Sequence, residues 1–315
     1  MDNFLIVAKQ VAVLFALVGV GAACRWLRLF GPFTVRGMVN VLLLLVTPCL
    51  IVDVFQRPFD SSVLAQLGLA FLIALATHLV LIALANRSVR EKDCRVASVL
   101  RLSVVFSNAG FMGIPLEQAV FGEEGVFFGI VYVAVFNLMV WSWGLRVMRG
   151  TGRATDGGSG LWVMFVNPGT VGLALGLPLF LFSIGLPEVV RTPVRMMASL
   201  NTPLAMLVIG YYLAGARLGA VARSARAYFV AAMRLVACPL ALTFALYPFR
   251  GSLNHTMILS LVAAASAPVA AMVTMFAAKY NRDVDLSVGM VSGTTLMSIL
   301  TMPVVIAFAM DLMAR

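Results

Sequence analysis

Apolar stretches of roughly twenty residues recur along the chain, separated by short polar connections, and each is long enough to cross a bilayer as a helix. They predict ten spans, at about 4–24, 35–55, 63–85, 96–119, 126–148, 161–184, 194–215, 227–248, 255–279 and 286–310. Two of the spans carry residues that a regular membrane helix avoids. Ser107-Asn108-Ala109-Gly110-Phe111-Met112-Gly113-Ile114-Pro115 sets an amide, two glycines and a proline inside span 4, and Ala264-Ala265-Ser266-Ala267-Pro268 interrupts span 9. Glycine weakens a helix, and proline removes a donor and clashes with the preceding turn. In hydrocarbon a broken helix leaves backbone groups unpaired, so it persists only inside protein or beside a water-filled cavity. Interrupted spans at corresponding places in two halves point to a transporter's binding site.

Composition narrows the class. Hydrophobic residues make up 62% of the 315, charged residues only 11%, and mean hydropathy is +1.01, against about 45–50% apolar and about 25% charged in soluble domains. The expected fold is an all-α polytopic membrane protein. The longest polar connection, Arg149 to Gly160, is rich in Gly, Ser and Thr and reads as a cytoplasmic linker. It divides the chain into residues 1–150, the linker 151–160, and residues 161–315.

The net charge of +10 reads as topology rather than as a nucleic-acid surface, because the basic residues sit in short loops. Arg25, Arg28, Arg36, Arg87, Arg90, Lys92, Arg95, Arg101, Arg146, Arg149, Arg153, Arg217, Arg223, Arg226, Arg234, Lys279 and Arg282 follow odd-numbered spans, each counted with its nearer loop. The opposite side carries Lys9, Arg57, Arg191, Arg195, Arg250 and Arg315. The positive-inside rule places the first set in the cytoplasm and both termini outside. Five spans per half make any repeat inverted. Pro48 and Pro203 support one (203 − 48 = 155), as do Pro115 and Pro268 (268 − 115 = 153).

Catalytic and metal chemistry find little to work with. Cys24, Cys49, Cys94 and Cys238 form no Cys-x-x-Cys pair, and no His or Cys cluster has ligand spacing. There is no His-Glu-x-x-His, no Gly-x-Ser-x-Gly and no pair of intramembrane aspartates. Nothing resembles a carbonyl filter or a ring of charges, which sets an anion channel or a membrane sensor behind a carrier. The first apolar run lacks a basic start and a cleavage site, so it reads as a retained span.

Several strings together resemble the auxin efflux carrier family, which includes plant PIN-type exporters and bacterial permeases for malonate or malate. They are Asn40 to Pro48 with Cys49-Leu50-Ile51, Asn108 to Met112-Gly113-Ile114-Pro115, Asn167-Pro168, Gly176-Leu177, Pro203-Leu204-Ala205 to Gly210, and Pro268 to Phe276-Ala277 with Tyr280-Asn281. The resemblance runs over essentially the whole chain. It implies ten helices in two inverted five-helix repeats, with broken helices 4 and 9 crossing at the membrane centre, as in the PIN and bile-acid-symporter fold. Helices 1, 2, 6 and 7 would form a scaffold and a homodimer interface, and helices 3–5 and 8–10 an elevator-like transport domain. The implied substrate is a small organic anion bound at the crossover, and the implied location a bacterial inner membrane. The chain has Val269 and Val273 where plant members have an amide and a second proline, and Ile51 near a plant hydroxyl. This favours malonate or malate over an auxin-like aromatic carboxylate.

Asn108 is the leading substrate contact, since a neutral amide donates to a carboxylate without a buried charge, while Ala109 and Gly110 offer helix-end N–H groups and the positive end of a half-helix dipole. Its competing role is to satisfy broken backbone. Gly113, Pro115 and Pro268 are the expected helix breakers. Ser266 either meets the substrate or bonds its own helix. Thr47, beside Pro48, either contacts substrate or kinks span 2, and Asn201 and Thr202 line the cavity or cap and pack span 7. His78 and Glu117 are candidates for proton coupling, against a neutral histidine bonding a neighbour and a solvated rim glutamate. Asp53 and Arg57 have ion-pair spacing on a helix. No cofactor or metal is expected, and H+ or Na+ is open as a coupling ion.

Overall fold

The runs of Leu, Val, Ala and Phe that predict spans are helical in a computed structural model of the chain, which describes residues 2–150, 168–216 and 224–314. The helices are α1 (Asp2–Trp26), α2 (Pro32–Val54), α3 (Ser61–Ser88), α4 (Cys94–Val105), α5 (Ala109–Arg149), α6 (Pro168–Leu181), α7 (Glu188–Leu213), α8 (Ala225–Phe249), α9 (His255–Ser266), α10 (Met272–Lys279) and α11 (Val284–Met313). Seven of them, α1, α2, α3, α5, α7, α8 and α11, are long and apolar enough to cross a membrane, and α6 and α9 are shorter apolar helices. No strand occurs among the described residues. Leu5, Phe33, Leu44, Leu72 and Leu300 are among the large apolar side chains left exposed, as expected where lipid is the solvent. The linker with Arg153, the start of span 6 with Asn167, and Arg217, Arg223 and Arg315 lie outside the described residues.

Local chemistry sets the helix ends. Asp60, Asp93, Asn254 and Asp283 each precede a helix and accept a hydrogen bond from a backbone N–H in its first turn. Asn281, after α10, has a left-handed φ of 51°, and Arg282 N–H reaches back 2.8 Å to Ala277 O, a Schellman closure that asparagine tolerates. Gly122, with φ 68° and ψ −154°, kinks α5 just before Glu123 and Glu124, so its two arms correspond to the end of span 4 and to span 5.

Prolines act in a way that spacing alone does not reveal. π turns at Leu42–Val46, Ala109–Gly113 and Met233–Ala237 stand just before Pro48, Pro115 and Pro239. In each case the residue before the proline donates five residues back: Thr47 to Leu42, Ile114 to Ala109 and Cys238 to Met233. The wider turn makes room for a ring that would strike the carbonyl four residues earlier.

α1 packs along α7, and α2 along α6. α1 and α7 approach so closely that a β-carbon at Gly21 would strike the Leu207 carbonyl, and one at Gly210 the Val18 carbonyl. At Gly172 and Gly176 of α6 the neighbours are Pro48, Ile51 and Phe55. α5 packs against α3 and α9, and α11 against α1, α4, α8, α9 and α10. Val11, Val18, Val46, Met112, Ala205, Ala263 and Ile306 belong to a buried cluster joining α1, α2 and α7 to α5, α9 and α11.

Candidate functional site

Helices α4 and α9 both stop deep in the protein. Ala267 precedes Pro268, which pushes it out of the helical region to φ −62°, ψ 149°. Phe106 is likewise extended, at φ −101° and ψ 113°. The two breaks pair antiparallel at Ser107 and Val269. Asn108 N–H donates to Pro268 O at 2.6 Å, and Ala270 N–H to Phe106 O at 2.9 Å. Val269 N–H donates to the Thr294 hydroxyl of α11 at 3.0 Å. Irregular backbone is thereby satisfied by protein, the condition for its survival at membrane depth. Thr294→Val keeps the shape but leaves the Val269 N–H buried and unpaired, an expected loss of about 1–3 kcal/mol, read as a lower unfolding temperature in detergent.

The break in the first half therefore falls at Phe106–Asn108 and not at Gly113 or Pro115. Pro115 lies in the first turn of the α-helical part of α5, beyond a π turn that absorbs it, whereas Pro268 lies in the break itself. The near-equal proline offsets do not align equivalent positions at this crossing.

Asn108 opens the first turn of α5. Its carbonyl accepts from Met112 N–H at 3.0 Å and Gly113 N–H at 3.2 Å. The N–H groups of Ala109, Gly110 and Phe111 precede these first intrahelical bonds, so they are the donors a helix start leaves over. The Asn108 side chain makes no capping hydrogen bond and is 7% exposed. Gly110 borders open space, with nothing within 4 Å of where a β-carbon would stand. An amide and a row of backbone donors at the positive end of a half-helix suit a carboxylate.

A cavity of about 280 Å³ is lined on the α5 side by Ile114 and Gln118, one and two turns beyond Gly110. Its other walls are Leu50, Asp53 and Val54 of α2, and Arg195, Ala198, Ser199, Asn201 and Thr202 of α7, with Glu123 at the kink of α5. It shares Asp53, Val54, Glu123 and Arg195 with a wider cavity of about 410 Å³ that reaches Arg57, Asp60 and Arg191. Asn201 and Thr202 line the smaller cavity, which Asn108, Ala109 and Gly110 do not line, and Gln118 and Arg195 join them as polar wall residues that the sequence did not single out. Asp53 faces Arg195 at 3.7 Å, not Arg57. The helix ends at Val54, so i, i+4 geometry is lost, and the Arg57 guanidinium lies 4.0 Å from the centre of the Phe127 ring.

Two expected ligand hydroxyls are engaged elsewhere. Thr47 donates to Leu42 O at 2.8 Å inside a π turn, and Ser266 donates to Ala263 O at 2.8 Å. Each has one proton to give, so neither brings a free donor to the site. Glu117 is not a solvated rim residue. It is fully buried against Gly129, and neither carboxyl oxygen has a partner. His78 is also fully buried, with Nδ1–H donating to Ala74 O at 2.8 Å and the ring 4.9 Å from that of Tyr132.

One residue of the crossing escaped the sequence reading. Arg234, counted there with a cytoplasmic loop, is fully buried in α8. It donates to Val105 O at 3.0 Å, to Val104 O at 3.3 Å and to Ala265 O. The signal was present: a lone arginine between Met233 and Leu235 inside an apolar run, and intramembrane charges are rarely idle. Among the described residues no group of three His, Cys, Asp or Glu side chains could hold a metal ion.

Residues 6–306 match the profile of a family described as membrane transport protein. No curated protein matches the chain.

Proposed function

From the premise that the chain belongs to the membrane transport protein family of auxin efflux carriers, we propose that this membrane transporter carries a small organic anion, a dicarboxylate such as malonate or malate, bound where α4 and α9 cross. The observation that carries the reading is the Asn108 turn. An amide without a capping bond and the leading N–H groups of a half-helix stand beside open space at Gly110, on the helix whose next turns, at Ile114 and Gln118, wall the 280 Å³ cavity. Val269, at the break of α9, is fully buried, and its N–H is taken by Thr294, so the donors come mainly from one half and suit a compact ligand.

The same reading extends to the architecture. α1 on α7 and α2 on α6 are pairings that exchange when the first five spans are exchanged with the last five, which supports two inverted repeats making ten spans. Those four helices would form the scaffold and, through it, a homodimer. The others would carry the site across the membrane as an elevator, with both termini outside. Of the two groups weighed for proton coupling, Glu117 is better placed, one turn beyond Gly113 with both oxygens unpartnered, whereas His78 has committed Nδ1 to Ala74.

The test is uptake of labelled malonate and malate into proteoliposomes. Saturable uptake, suppressed by excess unlabelled dicarboxylate and absent from protein-free liposomes, is expected. Failure of every small carboxylate to enter, or to compete, would reject the substrate class.

A further inference from the structure

Arg234 donates to three backbone carbonyls. Val104 and Val105 end α4, and Ala265 is the last residue but one of α9. Their carbonyls have no later turn to donate to them, so they are the leftover acceptors at the negative ends of two half-helices. The guanidinium meets both ends at once, from a π turn in a third helix. The ion pairs formed among the described residues, Arg195 with Asp53 and Arg226 with Glu91, lie elsewhere. His78, Tyr132 and Cys238 are within electrostatic reach of the guanidinium, and none supplies a carboxylate.

Carbonyl oxygens converging from the C-terminal ends of interrupted helices are also what a coupling Na+ takes as ligands in membrane carriers. A guanidinium offers the same single positive charge with five directed donors and is always ionised. We propose that Arg234 occupies the place of a coupling cation at the crossing: a tethered counter-ion that joins α4 to α9, so that this carrier needs no Na+ bound there. Arg234 is a positioning residue. It sets the crossing that presents Asn108 and has no substrate contact of its own. The inference rests on the transporter reading but not on the substrate, because its main readout contains no carboxylate.

The experiment compares unfolding temperatures of the purified protein in detergent, in choline chloride, sodium chloride and low-millimolar guanidinium chloride at matched ionic strength. Wild type is expected to melt at the same temperature in choline and in sodium. Arg234→Ala should melt at least about 5 °C lower in choline and recover most of that loss when guanidinium or sodium is added. Arg234→Met, which fills the space with an apolar chain, should show the loss without the recovery. A role in packing alone would give no cation-specific recovery. Arg234→Lys keeps the charge and should fold and melt independently of sodium, which holds the test open if the alanine variant does not fold. Sodium-dependent melting of wild type, an alanine variant as stable as wild type in choline, or a destabilised one that no cation restores would each overturn the proposal.

Discussion

Asn108→Ala is expected to bring uptake of the carried anion down to the level of protein-free liposomes while leaving the protein folded. The side chain makes no capping bond within its own turn, and its backbone N–H and carbonyl, which do bond Pro268, Met112 and Gly113, survive the change. Stability should therefore move little. Binding should move much more, because a hydrogen bond to a charged group contributes about 1.5–3 kcal/mol, or roughly ten- to more than a hundred-fold in affinity. Asn108→Asp tests the sign. It keeps the size but turns the donor into a negative acceptor, so it should bind the anion worse than alanine does. Unchanged uptake by the alanine variant would remove Asn108 from the site, and a fall in its unfolding temperature matching the fall in uptake would make its role structural.

A clear loss of stability is expected on substituting Gly210. A β-carbon there meets the backbone of Val18 and Ala22, and at Gly21 the backbone of Leu207. A flexible side chain could swing aside, but a helix backbone cannot. Alanine at either position must push α1 and α7 apart and loosen Val11, Leu14 and Val18 from Ala205 and Met206, which belong to one buried cluster. Overpacking of this kind costs about 1–3 kcal/mol. Gly19, two residues from Gly21 on the same helix, has nothing within 4 Å of its β-carbon position. Gly19→Ala should be neutral or slightly stabilising, since alanine is the better helix former. Unfolding temperatures ranked Gly210→Ala and Gly21→Ala below wild type, with Gly19→Ala at or above it, are the expected outcome. Equal values for all three would deny that the two helices touch through their glycines.

How far the sequence could be read depended on whether a feature was local. Apolar runs were legible as helices because length and apolar composition act locally. The interruption of spans 4 and 9 was legible for the same reason. The residue responsible in span 4 was not, because a π turn lets Pro115 sit inside a helix that the proline rule would break there. Hydroxyls misled for a related reason. Thr47 and Ser266 could bond their own helix or face a cavity, and spacing does not decide between the two. Asp53 and Arg57 looked like a pair only while the helix was assumed to continue past Val54. Arg234 was lost through assignment of every basic residue to its nearest loop, which ignores depth in the membrane. Its three acceptors lie 129, 130 and 31 residues away in sequence, and nothing in the local pattern names them.

Those separations bear on how the protein is made. The broken end of α4 finds its partners only downstream: Arg234 for Val104 and Val105, Pro268 for Asn108, Ala270 for Phe106. A chain emerging from its N-terminus has α4 and the start of α5 in hand well before α8 or α9 exists. At about 5–20 residues per second, the wait for Arg234 after Val105, 129 residues on, is roughly six to twenty-six seconds. During that interval the open carbonyls in mid-span must be kept by water or by the insertion machinery. The N-terminal part of the chain is thus a waiting part rather than a finished unit, and its assembly closes only when α8 and α9 arrive.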